Sequence, residues 1–267
     1  MIYEKYAKML SATTESTLDK IIEYEREGRF NDHLDGENAP PFLPVDENFE
    51  YLPKPSVKRA LQTFFIIDPF ERYTNKKLFR TQVTGKENLQ GLHSAVVVCN
   101  HVNKLDCMAI KMALRPKKTY VTAANFNNMQ GFLGDMMRAG GMLPFGETYT
   151  AMKHFDAAIE TLLKEGNFVA FFPERAEWWG YEKPRPLFSG AHRYAVKNNV
   201  PLLPLFITFT DTEESKKDRT ALKQFTVHIA KPVEAPKGVS YREGVDYLVK
   251  ANEKAWQEIY ENFYHKN

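Results

Sequence analysis

The run Ala95-Val96-Val97-Val98, continued directly by Cys99-Asn100-His101-Val102-Asn103-Lys104-Leu105-Asp106, constrains this chain more than any other stretch. Three successive valines bounded by polar residues predict a buried strand, because β-branched side chains suit a pleated surface and crowd a helix. The following residues, Asp106 to Leu114, predict a helix. The polar cluster therefore lies on a strand-to-helix turn. In a continuous helix His101 and Asp106 would project about 140° apart, so only a turn lets them meet. With Asp106 in the first helical turn, the macrodipole and nearby N–H groups favour its ionised form. It can then hold one imidazole nitrogen while the other faces a substrate. No nucleophile-type residue stands at a motif position beside them, so the pair suits activation of a substrate hydroxyl and not of an enzyme serine.

A chain of 267 residues with 43% hydrophobic and 13% aromatic content has enough apolar surface for one large domain with an extension, and excludes a disordered protein. Its net charge of +2 offers no basic field for nucleic acid. The longest near-apolar run, Pro201 to Phe209, is too short to span a bilayer, and Glu4, Lys5 and Lys8 do not fit a signal peptide. A cytoplasmic protein, peripheral on the inner face of the membrane, is expected. Cys99 and Cys107 flank apolar positions and have no zinc-type spacing, so they are expected as reduced, buried thiols. No His pair at i, i+4 spacing supports a metal hydrolase.

The first 53 residues predict a helical extension and proline-rich connector, and 54–267 the catalytic domain. Two helical pieces end near Gly28, and Pro40, Pro41, Pro44, Pro53 and Pro55 mark the connector, either a strap on the domain or a dimer or membrane contact. Between Val57 and Arg80, Phe64, Phe65, Phe70 and Tyr73 mix with Lys58, Arg59, Lys76 and Lys77, a pattern shared by lipid-interface helices and helices covering a core. Further strands are predicted at 83–84, 118–124, 168–172, 200–205 and 224–230, with helices at 129–138, 151–165, 188–197 and 242–263. Alternating strands and helices predict an α/β fold with a central, largely parallel sheet flanked by helices. Trp178, Trp179 and Tyr181, followed by Lys183-Pro184-Arg185-Pro186, read either as an aromatic platform with cations or as core.

Four segments recur in an order that identifies a family: Gly85-Lys86-Glu87-Asn88, Asn100-His101 with Asp106 (N-H-x-x-x-x-D), Phe172-Pro173-Glu174, and Val200-Pro201 with Pro204 (V-P-x-x-P). Together they resemble the glycerolipid acyltransferases, typified by bacterial 1-acylglycerol-3-phosphate (lysophosphatidic acid) acyltransferase. The resemblance runs from roughly Val83 to Pro236. It implies transfer of a fatty acyl group from acyl-CoA or acyl carrier protein to a lipid hydroxyl, with no bound cofactor and no metal. His101 and Asp106 are then the catalytic pair, and Asn103, Lys104, Pro173, Glu174 and Arg175 the expected substrate contacts, Glu174 positioning the acceptor. Two departures concern that acceptor. Family members continue F-P-E-G-T-R, whereas Arg175 stands here at the glycine position and Glu177 at the arginine position, and the Met142–Glu147 stretch lacks the arginine of the family's second block. Lys104 or Arg175 would have to replace those phosphate-binding arginines. The acceptor expected first is 1-acylglycerol-3-phosphate, with a glycolipid or another lysolipid as the alternative. A silent lipid- or acyl-CoA-binding scaffold is the reading outside enzyme chemistry.

Overall fold

The computed structural model describes residues 13–34 and 41–265. The first predicted helical piece and part of the proline-rich connector lie outside those residues. The second piece is α1 (Glu15–Glu27), capped by Thr14 and ended by Gly28 in the left-handed conformation at φ 69°.

Seven strands form one sheet in the order β1-β7-β6-β2-β5-β3-β4. They are β1 (Gln82–Thr84), β2 (Ala95–Val98), β3 (Thr119–Ala123), β4 (Met142–Pro144), β5 (Phe168–Phe171), β6 (Leu202–Thr210) and β7 (Gln224–Ile229). All neighbouring pairs are parallel except β6 and β7. The expected largely parallel α/β sheet is therefore present, with one strand more than the pattern showed. That strand, β4, is three residues long and ends in a proline at the sheet edge, too little for a period-2 signal.

The valine run sits at the centre, between β5 and β6, and its four residues are fully buried. Alternation sends its side chains to opposite faces. Ala95 and Val97 pack with Ala109, Ile110 and Ala113 of α3 (Asp106–Leu114), whereas Val96 and Val98 pack on the other face with Phe155, Ile159, Ala191, Ala195, Leu248 and Trp256. The latter residues come from α5 (Tyr149–Lys164), α6 (Gly190–Asn198) and α7 (Tyr241–Tyr264). With α4 (Gly131–Ala139) beside β4, two helical layers enclose the sheet. Both faces of β2 are thereby apolar, as its unbroken hydrophobic sequence requires.

A helical rod over 57–78, termed α2, precedes the sheet and includes π-type turns at Thr63–Ile67 and Thr74–Leu78. Its two halves serve different ends. In the second half Ile67, Glu71, Thr74 and Asn75 are buried, and Arg115 pairs with both Asp68 and Glu71 at 3.0 Å to fix the rod against α3. In the first half Val57, Leu61, Phe64 and Phe65 face outward, 77%, 51%, 67% and 60% exposed. The core-covering reading thus holds for the second half alone.

The connector behaves as a strap. Phe42 bridges to Met129, the Leu43 N–H donates to the Asn128 carbonyl at 2.7 Å, and Val45 is buried with the α5 side of the core. The Glu147 carboxylate, from the stretch after β4, accepts from Val45 N–H at 3.3 Å and from the Asn125 amide at 3.2 Å. It therefore braces this strap.

Candidate active site

Residues Val98 and Phe171 are register partners in adjacent parallel strands, so the chain segments that leave them emerge side by side at the carboxyl edge of the sheet. That edge is where open α/β sheets place their sites. Cys99 N–H still donates to the Phe171 carbonyl at 3.1 Å; beyond it the ladder ends and side chains take over. The buried amide of Asn100 accepts from Ile207 N–H at 2.7 Å and donates to the Ile207 carbonyl at 3.0 Å, pinning the turn to β6. The part of Asn100 in the motif is therefore structural, since a buried backbone left without these bonds would cost about 1–3 kcal/mol per group.

The turn brings His101 and Asp106 together. His101 Nδ1 lies 2.8 Å from Asp106 Oδ2, which also accepts from the N–H of Val102 at 3.0 Å and of Asn103 at 3.4 Å. Asp106 is the first residue of α3 and is buried. An ionised carboxylate so placed fixes the proton on Nδ1 and leaves the Nε2 lone pair as a base. The imidazole stacks on Phe172, centroids 4.0 Å apart at 18°, and its side chain keeps 20% exposure. Burial pulls the His101 pKa down, but the charge and hydrogen bond of Asp106, with the Glu177 carboxylate, outweigh it and hold the pKa above its ordinary value. Glu177 Oε2 stands 3.9 Å from Nε2.

The other expected contacts divide into two groups. Asn103 is buried; its Oδ1 accepts from Leu105 N–H at 3.0 Å and its carbonyl from Asp106 N–H at 3.0 Å, so it shapes the turn. Pro173 is buried, with its carbonyl accepting from Phe188 N–H at 2.9 Å. Glu174 is equally closed in. Its Oε2 accepts from His101 N–H at 3.0 Å and from Arg185 Nη2 at 2.7 Å, and its Oε1 from Arg185 N–H at 3.1 Å. Both oxygens thus serve protein groups, and Glu174 braces the backbone under His101. Lys104 and Arg175, by contrast, are exposed. Lys104 Nζ lies 5.2 Å from the Trp179 ring and the Arg175 guanidinium 4.5 Å from the Phe188 ring. Arg175 adopts φ 66°, so it holds the left-handed turn for which the family uses glycine.

Trp178 and Trp179 are buried, which decides for core over platform. They pack with Ile21, Tyr24 and Leu34 of the N-terminal segment. Burial also disfavours the thiolates, raising the Cys99 thiol pKa well above its ordinary value and that of the partly buried Cys107 to about 12.

Sequence reading offered Arg185 only as one cation of the aromatic platform and missed its pairing with Glu174. The signal available was a single arginine locked between Pro184 and Pro186 in an otherwise apolar approach to α6.

An imidazole held by a carboxylate at the carboxyl edge of a parallel sheet is an arrangement able to act as a general base. Residues 80–208, which hold both halves of the site, match the family model described as Acyltransferase. Among solved structures, the fold is similar to that of PlsC, the 1-acyl-sn-glycerophosphate (LPA) acyltransferase from Thermotoga maritima. The TM-score is 0.51 and the identity 20%, over 76% of this chain and 87% of that one, a likeness of fold. No curated protein matches the sequence.

Glu177→Gln is expected to move the acid limb of the pH–rate profile downward. His101 accepts a proton only when neutral, so the rate rises with pH through a pKa that lies above 6.5. Removing a carboxylate 3.9 Å from Nε2 should lower that pKa. Thiol release measured across pH checks this, and an unmoved limb would take Glu177 out of the electrostatics of the base.

Proposed function

We propose that the protein transfers a fatty acyl group from a CoA or carrier-protein thioester to a hydroxyl of a lysolipid, with His101 as the base. The observation that carries the reading is the 2.8 Å contact between His101 Nδ1 and Asp106, which leaves Nε2 on the partly exposed side of the ring. The acceptor hydroxyl gives its proton to Nε2 as its oxygen attacks the thioester carbonyl. Collapse of the tetrahedral intermediate breaks the C–S bond, and the imidazolium returns the proton to the leaving thiolate. Asp106 stabilises the imidazolium throughout. No bound cofactor or metal enters this scheme. A silent scaffold with the same fold would release no thiol.

Among acceptors, 1-acylglycerol-3-phosphate is placed first. A phosphomonoester needs donors and positive charge, because an unpaired dianion is costly to desolvate. Lys104 and Arg175 are the exposed cations beside the base turn and the Glu174 turn. Arg175→Ala should then lower kcat/KM for lysophosphatidic acid by about 1.5–3 kcal/mol, roughly 10- to 150-fold, with the donor KM little changed. One observation supports a second reading, an uncharged acceptor such as a glycolipid: Glu177, at the position of a family arginine, stands 3.9 Å from Nε2. Rates with lysophosphatidic acid, monoacylglycerol and a glycolipid, measured together, separate the two. A clear preference for an uncharged acceptor would overturn the first.

The same reading places the protein on a membrane surface, at the cytoplasmic face. No helix among the described residues is long and apolar enough to cross a bilayer. The support is the outward Val57, Leu61, Phe64 and Phe65, with Phe132 of α4 also exposed and Lys58, Lys76 and Lys77 exposed along α2. Apolar insertion with basic flanks is the pattern of interfacial helices, each cation adding about 1 kcal/mol near an anionic surface. Flotation with liposomes should increase with anionic lipid and fall with salt. Replacing Lys58, Arg59, Lys76 and Lys77 by Gln should weaken it, and unchanged flotation would assign the contact to another surface.

A further inference from the structure

Arg185 takes no part in the proton transfers above, yet it is as buried as a core side chain and is surrounded by oxygen atoms. Its Nη2 donates to Glu174 Oε2 at 2.7 Å, to the Ala176 carbonyl at 2.6 Å and to the His101 carbonyl at 3.3 Å. Its Nη1 reaches the Phe30 carbonyl at 3.3 Å, and the guanidinium lies 4.8 Å from the centre of the Trp178 ring. Glu174 in turn accepts the His101 N–H. One ion pair thus reaches both peptide groups that flank the His101 Cα, Glu174 at the N–H and Arg185 at the C=O, where the Trp178 N–H also donates at 3.0 Å. A planar fork can address several oxygens at once, which a lysine ammonium on the same path cannot.

We propose that Arg185 is a positioning residue for His101, and that through it the N-terminal segment around Phe30 is a working part of the active site. The Phe30 carbonyl is one of the acceptors of the guanidinium, while the Asp32 carbonyl takes the Trp178 indole N–H at 3.1 Å and the Phe30 ring stacks on Trp178 with centroids 5.6 Å apart. With this segment seated, the guanidinium plane is fixed from the Phe30 side and from the Trp178 face. Without it, a buried donor loses its partner and the plane is free to turn, loosening its hold on the His101 carbonyl. Reaction rates are sensitive to such shifts, a misplacement of about 1 Å costing on the order of 100-fold. The inference rests on the proposed role of His101 as the base.

Arg185→Ala would leave Glu174 charged and buried without its cation, which confounds folding with function. Better probes are Arg185→Lys, the neutral pair Glu174→Gln with Arg185→Gln, and Phe30→Ala, which alters no group at the reaction centre. Each is expected to unfold cooperatively. Per folded molecule, kcat at saturating substrates should fall by about tenfold or more in Arg185→Lys and by several-fold in Phe30→Ala, with the donor KM within about twofold. The His101 titration, followed by NMR on the free protein, should move in the neutral pair, which removes both the Arg185 charge that opposes the imidazolium and the Glu174 charge seated on the His101 N–H. Unchanged kcat with an unmoved titration in the two Arg185 variants would overturn the positioning role, and unchanged kcat in Phe30→Ala would overturn the part given to the N-terminal segment. A wild-type protein that released no thiol would strike the acyl-transfer reading instead; the His101 titration needs no substrate and would still decide the positioning role.

Discussion

His101→Ala is expected to lower acyl transfer by about 100-fold to 10,000-fold, the range typical of a lost general base, while leaving the fold in place. The structural cost should be small because the points that anchor the turn survive the substitution. The residue-101 N–H still meets Glu174, its carbonyl still accepts from Trp178 N–H, and Asn100 still grips Ile207. What the imidazole packs against is chiefly Phe172, at a partly exposed position. Circular dichroism and thermal unfolding should therefore resemble the wild type while thiol release from acyl-CoA in the presence of acceptor collapses. A folded variant with wild-type turnover would remove His101 from the chemistry.

Asp106→Asn carries the second largest expected effect, and for a different reason. The aspartate oxygen that holds Nδ1 also receives two backbone N–H groups, so an asparagine oxygen in the same place can keep the turn closed. The lost quantity is charge. A neutral amide cannot stabilise the imidazolium and can favour the wrong tautomer, which in a comparable His–Asp arrangement costs about 10,000-fold in turnover. A fall of 100-fold or more in kcat with acceptor KM nearly unchanged is expected. The acid limb should also shift to lower pH, because Asp106 is the main influence raising the His101 pKa. Unchanged turnover at saturating acceptor would mean that another group orients the base.

How much of this was legible in the sequence differs by the range of the interaction. The central sheet was readable because Ala95–Val98, Phe168–Phe171 and Leu202–Thr210 carry their burial in consecutive residues. The His101–Asp106 pair was readable because the two stand five positions apart on one strand-to-helix turn, a local event. The remainder depends on contacts between distant parts of the chain. Whether Trp178 is a platform or core is decided by Tyr24, Phe30 and Leu34, about 150 residues earlier, and no local periodicity reports that contact. Glu174 looked like a substrate ligand because its motif does not name its partner; Arg185, eleven positions on, occupies both of its oxygens. Glu147 closes the Met142–Glu147 stretch that occupies the family's second block, and only its bonds to Val45 and Asn125 reveal that it braces the strap. The amphipathic pattern of 57–80 did not separate its core-facing from its outward apolar residues, which α2 divides between its two halves.

The central claim, acyl transfer from a thioester to a lipid hydroxyl at His101, is tested most directly by mass spectrometry of the lipids formed when the protein meets isotopically labelled acyl-CoA, or labelled acyl carrier protein, and total membrane lipid. The account predicts a new labelled O-acyl lipid, formed together with an equal amount of free thiol, and absent with His101→Ala. Labelled free fatty acid in place of an acylated lipid, or a labelled lipid formed equally well by His101→Ala, would contradict it.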